Sequence, residues 1–311
     1  MTLRPLLVLL ALGSVWGTSF LFIKVIVDET SAFETVVGRL FFGAAIVLAV
    51  LVRRGTPLPR KPSTWLRVSA WTLPGVAVPF LLIAWAEEHI DSGIASVLNS
   101  TMPLFTATFA AAFLAEERFS AGRALGLVVG FAGVVVLTGG DIYDLSDSNA
   151  LGQLAVIGAA ACYGTGAVYA RSLLREEDPA ALSGAQLTVA LLMLLPVMFA
   201  ARGVPDYDLS VEAWLSLVAL GLFGTGLGIV AYLWLVDNIG SVRSSLVTYI
   251  VPIVGLILGW AVLDEHIGWE TIVGAALIIA GVAAVMRGQA PSSQRALPTI
   301  DAPAAAEASA D

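Results

Sequence analysis

Lys24, Glu34 and Arg39 are the three ionisable side chains that stand clearly within, or at the rim of, long apolar runs in this sequence. Placing a lysine or arginine at the centre of a bilayer costs about 2.5–3.5 kcal/mol on insertion scales, so such a residue faces the bundle interior or snorkels to the surface. Lys24 is within about one turn of the end of its run and reads as a snorkelling residue. Arg39 lies about two turns in, where a guanidinium facing a cavity could take a carboxylate through two parallel hydrogen bonds. Its structural alternative is pairing with Glu34 or a neighbouring carbonyl. Uncharged hydrogen-bonding groups accompany it in other apolar runs: Asn99, Thr101 and Gln186. Trp16, Trp85, Tyr163, Tyr232 and Tyr249 add aromatic faces with a polar handle. Together these describe an amphipathic pocket for a small, partly apolar solute, although packing or an interfacial belt also explains each aromatic taken singly.

The same residues argue against other chemistry. No HExxH pattern and no Walker-type phosphate loop occurs, and the single cysteine, Cys162, sits inside an apolar run. No catalytic residue, metal or cofactor is therefore expected, and an ATP-driven pump on this chain is not supported. A membrane-embedded enzyme would need clustered His, Asp or Glu on facing helices. The two histidines, His89 and His266, instead fall at the edges of apolar runs. The net charge of −8 comes mostly from acids in short connecting loops, where they are solvated, and no nucleic-acid partner is expected.

The elements that must position these residues are long and apolar. The chain is 58% apolar and 13% charged, with a mean hydropathy of +0.88. Uncharged runs recur at the length needed to cross roughly 30 Å of hydrocarbon. Because lipid offers no hydrogen-bond partners, the spans are expected to be helices. Ten are predicted, at about 5–27, 33–52, 65–86, 92–114, 123–139, 150–170, 180–200, 212–235, 242–263 and 269–286. Lysine and arginine placement predicts the orientation. With the N-terminus in the cytoplasm, Arg53, Arg54, Arg60, Lys61, Arg118, Arg123, Arg175 and Arg243 fall on the cytoplasmic side, whereas Arg202 alone falls in an outer loop. Both termini are then cytoplasmic, and the Pro/Ala/Ser-rich residues 288–311 read as a disordered tail.

The spans repeat. The same interval separates Pro103 from Pro252 and Glu116 from Glu265. "WGTS" at 16–19 faces "YGTG" at 163–166, and "AWAEEHIDSGIASVL" (84–98) faces "LWLVDNIGSVRSSLV" (233–247). Residues 1–140 and 141–287 thus read as two five-helix copies of one unit. A unit with an odd number of spans ends on the face opposite its start, so the second copy enters inverted. Inverted repeats are a common architecture of secondary transporters, with the substrate near the midplane. Pro103 and Pro252 are expected to break the same helix in each copy and permit bending. Glu34, Glu116 and Glu265 are the acids available for gating or ion coupling, with helix-end structure as their alternative.

Two such units, with "WGTSF" in the first helix, Arg39 in the second and "IDSGIASVLNSTMPLF" leading through "FLAEERF" to a glycine-rich fifth, resemble the EamA-type transporters of the drug/metabolite transporter superfamily. The resemblance spans about residues 5–287. It implies an all-α integral membrane carrier that moves amino acids, related metabolites or amphipathic toxic compounds, often outward. It also implies a lipid bilayer as environment, a small-molecule substrate and a plasma membrane; with no organelle-targeting segment visible, a prokaryotic one is expected. A homodimer is compatible with it. Gln186 in place of an arginine, and Tyr163 in place of Trp16, mark divergence of the second half. A non-transporting scaffold or sensor remains the alternative reading.

Overall fold

The computed structural model describes residues 2–113, 121–139, 147–173, 177–203 and 207–287. Ten helices run through them: α1 (Leu3–Val27), α2 (Ala32–Arg54), α3 (Pro62–Glu87), α4 (Ser92–Phe113), α5 (Ala121–Thr138), α6 (Ser148–Leu173), α7 (Pro179–Arg202), α8 (Val211–Ile239), α9 (Val247–Leu263) and α10 (Trp269–Arg287). No strand occurs among the described residues. Nine of the ten are long and apolar enough to cross a membrane. The exception is α9, because a turn at Ser245 and Leu246 separates it from the four-residue helix Ser241–Ser244. The fold is the expected ten-helix membrane bundle, with most helix ends within three residues of those predicted. The tail beyond Arg287 lies outside the described residues.

Helix ends follow local chemistry. α2 begins with a full capping box, in which Glu34 N donates to Ser31 Oγ and Ser31 N donates to Glu34 Oε2. It ends on Gly55, whose φ of +66° is the left-handed conformation that a glycine adopts without strain. α7 starts with Asp178 accepting from the amides of Ala180 and Ala181, and with Pro179 where its missing N–H costs nothing.

The third helix of each half departs from α geometry at mid-length. Leu73–Ala77 in α3 and Leu220–Leu227 in α8 are π-helical. The first segment contains Pro74 and Gly75, and the second is glycine-rich. Proline lacks the N–H of the regular ladder, and glycine tolerates the re-spacing, so both sequences permit the wider turn. The sequence showed the glycines of α8 but gave no sign that α3 would share the distortion.

The fourth helices of the two halves differ from one another, against expectation. α4 is interrupted at Ser100 and Thr101, whose hydroxyls donate back to Val97 O and Leu98 O, both at 2.6 Å. Pro103 follows directly in the first turn of Met102–Phe113, so the expected interruption does occur at this proline. Pro252 lies inside the continuous helix α9, past the turn at Ser245–Leu246. The two prolines therefore do not interrupt equivalent helices at one equivalent place.

Packing between the halves is reciprocal. α1 packs on α9 and α6 on α4; α2 packs on the π segment of α8 and α7 on that of α3; α4 meets α9, α2 meets α7 and α5 meets α10. Each contact maps onto itself or onto its partner when the halves are exchanged, as an approximate twofold axis requires. The α5–α10 pair is the tightest. A Cβ on Gly133 would lie 2.7 Å from Ile278 N and 2.8 Å from Gly274 O, and one on Gly126 would lie 2.9 Å from Gly281 O. Small residues allow this approach where lipid supplies no hydrophobic drive between helices. Because the obstructing atoms are backbone, Gly133→Val is expected to cost about 1–3 kcal/mol and to lower the unfolding midpoint in detergent. Gly122→Ala, where a Cβ meets nothing within 4 Å, should leave the midpoint within error when both are followed by size exclusion after heating.

Candidate functional site

Where α2 crosses α8, the Arg39 guanidinium is buried and its Nε donates to Thr225 Oγ1 at 3.1 Å. Thr225 Oγ1 in turn donates to Leu220 O, a five-residue reach set by the π turn. Phe80 of α3 lies beneath the charge, with Arg39 Cζ 3.8 Å from the ring centroid. Nε is the one guanidinium nitrogen with a hydrogen-bond partner among the described residues. Close approach here depends on Gly221: a Cβ on it would lie 2.9 Å from Arg39 O.

The same construction recurs across the axis with different chemistry. Gln186 of α7, the counterpart of Arg39, lies against the π segment of α3; a Cβ on Gly75 would be 2.6 Å from Gln186 Nε2. That amide nitrogen is buried and has no hydrogen-bond partner among the described residues. Gly166 of α6 approaches the same segment, and its carbonyl accepts from Trp71 Nε1 at 3.0 Å. Asn99 Oδ1, at the interruption of α4, is likewise buried and unpartnered. Unpaired buried amides hold hydrogen-bonding capacity in reserve, because the cost of burying them is already met by the surrounding fold.

The aromatic residues divide. Tyr163 of α6 lies in the same region of the bundle as Arg39, next to Gly164, whose backbone packs on Phe105 and Thr106 of α4. Trp16 and Tyr232 stack at 5.6 Å between α1 and α8, with the Trp16 indole against Gly228. Tyr249 instead packs on α10, its hydroxyl donating to Met286 Sδ at 3.1 Å. Trp85 turns outward, 36% exposed, and stacks on His89 with centroids 4.5 Å apart. Thr101 spends its hydroxyl on Leu98 O. The structure thus gathers Arg39, Tyr163 and Phe80, sets Gln186 across the axis, and leaves Trp85 and Tyr249 outside that group.

The acids mostly serve helix ends. Glu34 closes the α2 capping box and also accepts from Thr30 Oγ1 and Ser31 Oγ. Glu265 reaches across to the start of α4 and accepts from the amides of Ser92 at 2.7 Å and Gly93 at 2.9 Å. These are amides that the first turn of a helix leaves unsatisfied. At the same end of the bundle, Glu88 accepts from Ala32 N at 2.8 Å and Glu29 accepts from Ser210 N and Ser210 Oγ. The Ser210 bonds hold the Glu29 carboxyl below its usual range. Burial raises Asp91, the N-cap position of α4, and the neighbouring Glu265 carboxylate adds to the rise. Glu116 lies outside the described residues.

Sequence reasoning missed Glu87. It is fully buried at the end of α3, and both carboxylate oxygens lack a hydrogen-bond partner among the described residues. Lys24, expected to snorkel, turns inward and donates from Nζ to the backbone carbonyl of Glu87 at 2.7 Å. In the sequence, "EEH" at 87–89 looks like loop punctuation. The clue was helical phase: Glu87 follows Phe80 by seven residues and Ile83 by four, which places it on the inward stripe of α3.

Comparison with known proteins bears on the family and fold of the chain. The model of the EamA-like transporter family matches twice, over residues 3–139 and 150–287. The chain is 27% identical over 280 residues to the uncharacterized transporter YoaV of Bacillus subtilis, covering 90% of this chain and 95% of the relative. It is 25% identical over 282 residues to the uncharacterized inner membrane transporter YedA of Escherichia coli K12, covering 90% of each. A probable terminal-alkyne amino-acid exporter of Streptantibioticus cattleyicolor is 27% identical over 274 residues, covering 88% of this chain and 90% of that protein. One solved crystal structure superposes with a TM-score of 0.66 at 20% identity, covering 91% of this chain and 97% of the other, which speaks to the fold. Two family matches, one on each five-helix half, make this chain a member of the EamA-like transporter family.

Proposed function

We propose that this protein is a secondary carrier that moves a small metabolite with a carboxylate and an apolar portion across a prokaryotic plasma membrane by alternating access. The observation that carries the reading is the reciprocal crossing of α2 on the π segment of α8 and of α7 on that of α3. A wide turn has spare freedom to re-space its hydrogen bonds, and two such turns related by pseudo-symmetry give two near-equivalent arrangements of the halves. Arg39 is the anchor for the carboxylate, with Tyr163 and the stacked Trp16–Tyr232 pair beside the apolar portion. The amino-acid exporter among the relatives supports a solute of this class and outward movement. Lysine and arginine placement puts the end carrying Glu29, Glu88 and Glu265 outside. The lacing of that end by cross-element hydrogen bonds supports a state closed to the exterior.

The first experiment is counterflow in proteoliposomes loaded with a mixed amino-acid pool. Uptake of one labelled amino acid, competed by its unlabelled form, is the expected result; silence across the panel from folded protein would overturn the carrier reading for this solute class. Arg39→Gln is expected to raise KM for carboxylate-bearing solutes about tenfold or more, the loss of one charge-assisted contact, with little change for a decarboxylated analogue. An equal loss for both would remove Arg39 from the binding site. For closure, Glu265→Ala should speed labelling of a cysteine placed by Ser96→Cys, in a Cys162→Ala background, by a membrane-impermeant maleimide added outside. Ser96 is fully buried beside Gly255 on the α4–α9 seam, so an unchanged rate would refute the clasp.

A further inference from the structure

Glu87 has no place in the scaffold account above. It is fully buried, and among the described residues its carboxyl caps no helix and bonds no cation, although the adjacent Glu88 accepts a helix-start amide. The charged groups around it come from each element packed against this end of α3. α1 brings Lys24 and Asp28, α2 brings Arg39, and the α9–α10 connection brings Glu265. Asp91 stands at the N-cap of α4, and α6 presents Gln153, whose Oε1 is itself buried and unpartnered, beside Gly152. None of the cations bonds the Glu87 carboxyl. Lys24 Nζ is committed to the Glu87 backbone carbonyl and stands 3.8 Å from Asp28 Oδ1. Glu265 is engaged with Ser92 and Gly93 and adds negative charge on the same side.

A carboxylate taken from water without a hydrogen-bond partner is among the costliest groups a fold can bury. A carboxylic acid in the same place is cheap. We propose that Glu87 is the proton-binding site that couples transport, carrying its proton in the closed state described here and releasing it when the end of the bundle near Glu265 opens to water. Geometry supports the link to solute. Phe80 and Glu87 are seven residues apart on one face of α3, about 10 Å along the axis, and Arg39 stacks on Phe80. Proton site and anchoring charge therefore share one helix face, and both are moved by any change at the intervening part of α3. The step balances as a transfer between the two sides: the carboxyl O–H bond breaks as its proton passes to external water on opening, and it is re-formed with a proton from cytoplasmic water in the arrangement closed to the exterior, with no other co-reactant.

This inference rests on the carrier reading, so its test needs a readout independent of flux. Infrared difference spectra of the purified wild type against Glu87→Gln at pH 7 should contain the carbonyl stretch of a neutral carboxylic acid, lost in the variant. In proteoliposomes, an imposed pH gradient should stimulate wild-type uptake several-fold, and Glu87→Gln should lose that stimulation. Glu87→Asp, which keeps the acid, should recover part of it with a shifted pH profile. A difference spectrum holding only ionised carboxylate bands would overturn the proposal. So would a wild type indifferent to the gradient, or a Glu87→Gln protein still stimulated by it. A neutral-acid band in a protein that moves no solute would sink the carrier reading, and with it the coupling role, while leaving a buried proton on Glu87.

Discussion

The structure depends on how two inverted halves hold together in a medium that gives helices no hydrophobic reason to associate. Burying leucine against leucine changes little when the alternative is leucine against lipid. Association has to come from close backbone approach and from polar contacts that lipid cannot replace. The bundle uses both in different places. Gly126, Gly133 and Gly274 bring α5 and α10 together along their length, in contacts that leave no room for a side chain. At α2–α8, glycines again permit close approach, but here the interface also carries the Arg39–Thr225 bond. The first interface is a fixed seam. The second has a π turn on one side and a charge on the other, so it has more than one way to pair its groups.

At the end laced by acids, the same economy is visible in the carboxylates. A helix start presents amides with no intrahelical acceptor, and a carboxylate is the strongest acceptor available to them. Glu88, Glu29 and Glu265 each take amides that belong to another element. Each such bond links two helices through a few atoms, not through a packed surface. Links of that kind can be exchanged for water one at a time, which suits the opening that the proposed carrier cycle requires of this face. Glu29 is exposed, and its carboxyl is held below its usual range by Ser210. That contribution is present at neutral pH and is lost only as the pH falls through the lowered value.

Much of this was legible from residue patterns, and the failures have physical causes. Hydropathy located all ten helices because lipid imposes length and apolarity directly on sequence. The repeat was legible because Pro103/Pro252 and the aromatic-Gly-Thr motifs kept their order. The π segment of α3 was not, since a single Pro-Gly pair in an apolar run permits a kink, a π turn or a straight helix, and neighbouring helices decide among them. Pro252 was misread for a related reason: a proline can lie inside a continuous membrane helix where neighbouring groups satisfy the freed carbonyl, whereas at Pro103 the helix is interrupted just before it. Lys24 and Glu87 were misassigned because distance from a span end does not show direction. Lys24 is close enough to snorkel, yet it finds a carbonyl inside. Glu87 sits beside loop residues, yet helical phase turns it to the core.

Symmetry in the scaffold is not matched by symmetry in the chemistry, and that difference bears on how a solute could drive the change. Arg39 faces Gln186 across the axis, and the position equivalent to Glu87 in the second half is Val236. Under the proposed reading both charged groups belong to the first half, while the contact that Arg39 makes, through Thr225, belongs to the second. Under that reading, a carboxylate that pairs with Arg39 through Nε and one Nη is a better acceptor than a threonine hydroxyl and competes for the donor that ties α2 to α8. A ligand shifts a conformational equilibrium only by its differential affinity for the two states. Under the proposed reading the differential has a structural source: while Nε is bonded to Thr225, Arg39 offers a solute its Nη atoms but not the Nε–Nη edge. A solute that takes that edge would favour an arrangement in which the α2–α8 crossing has loosened.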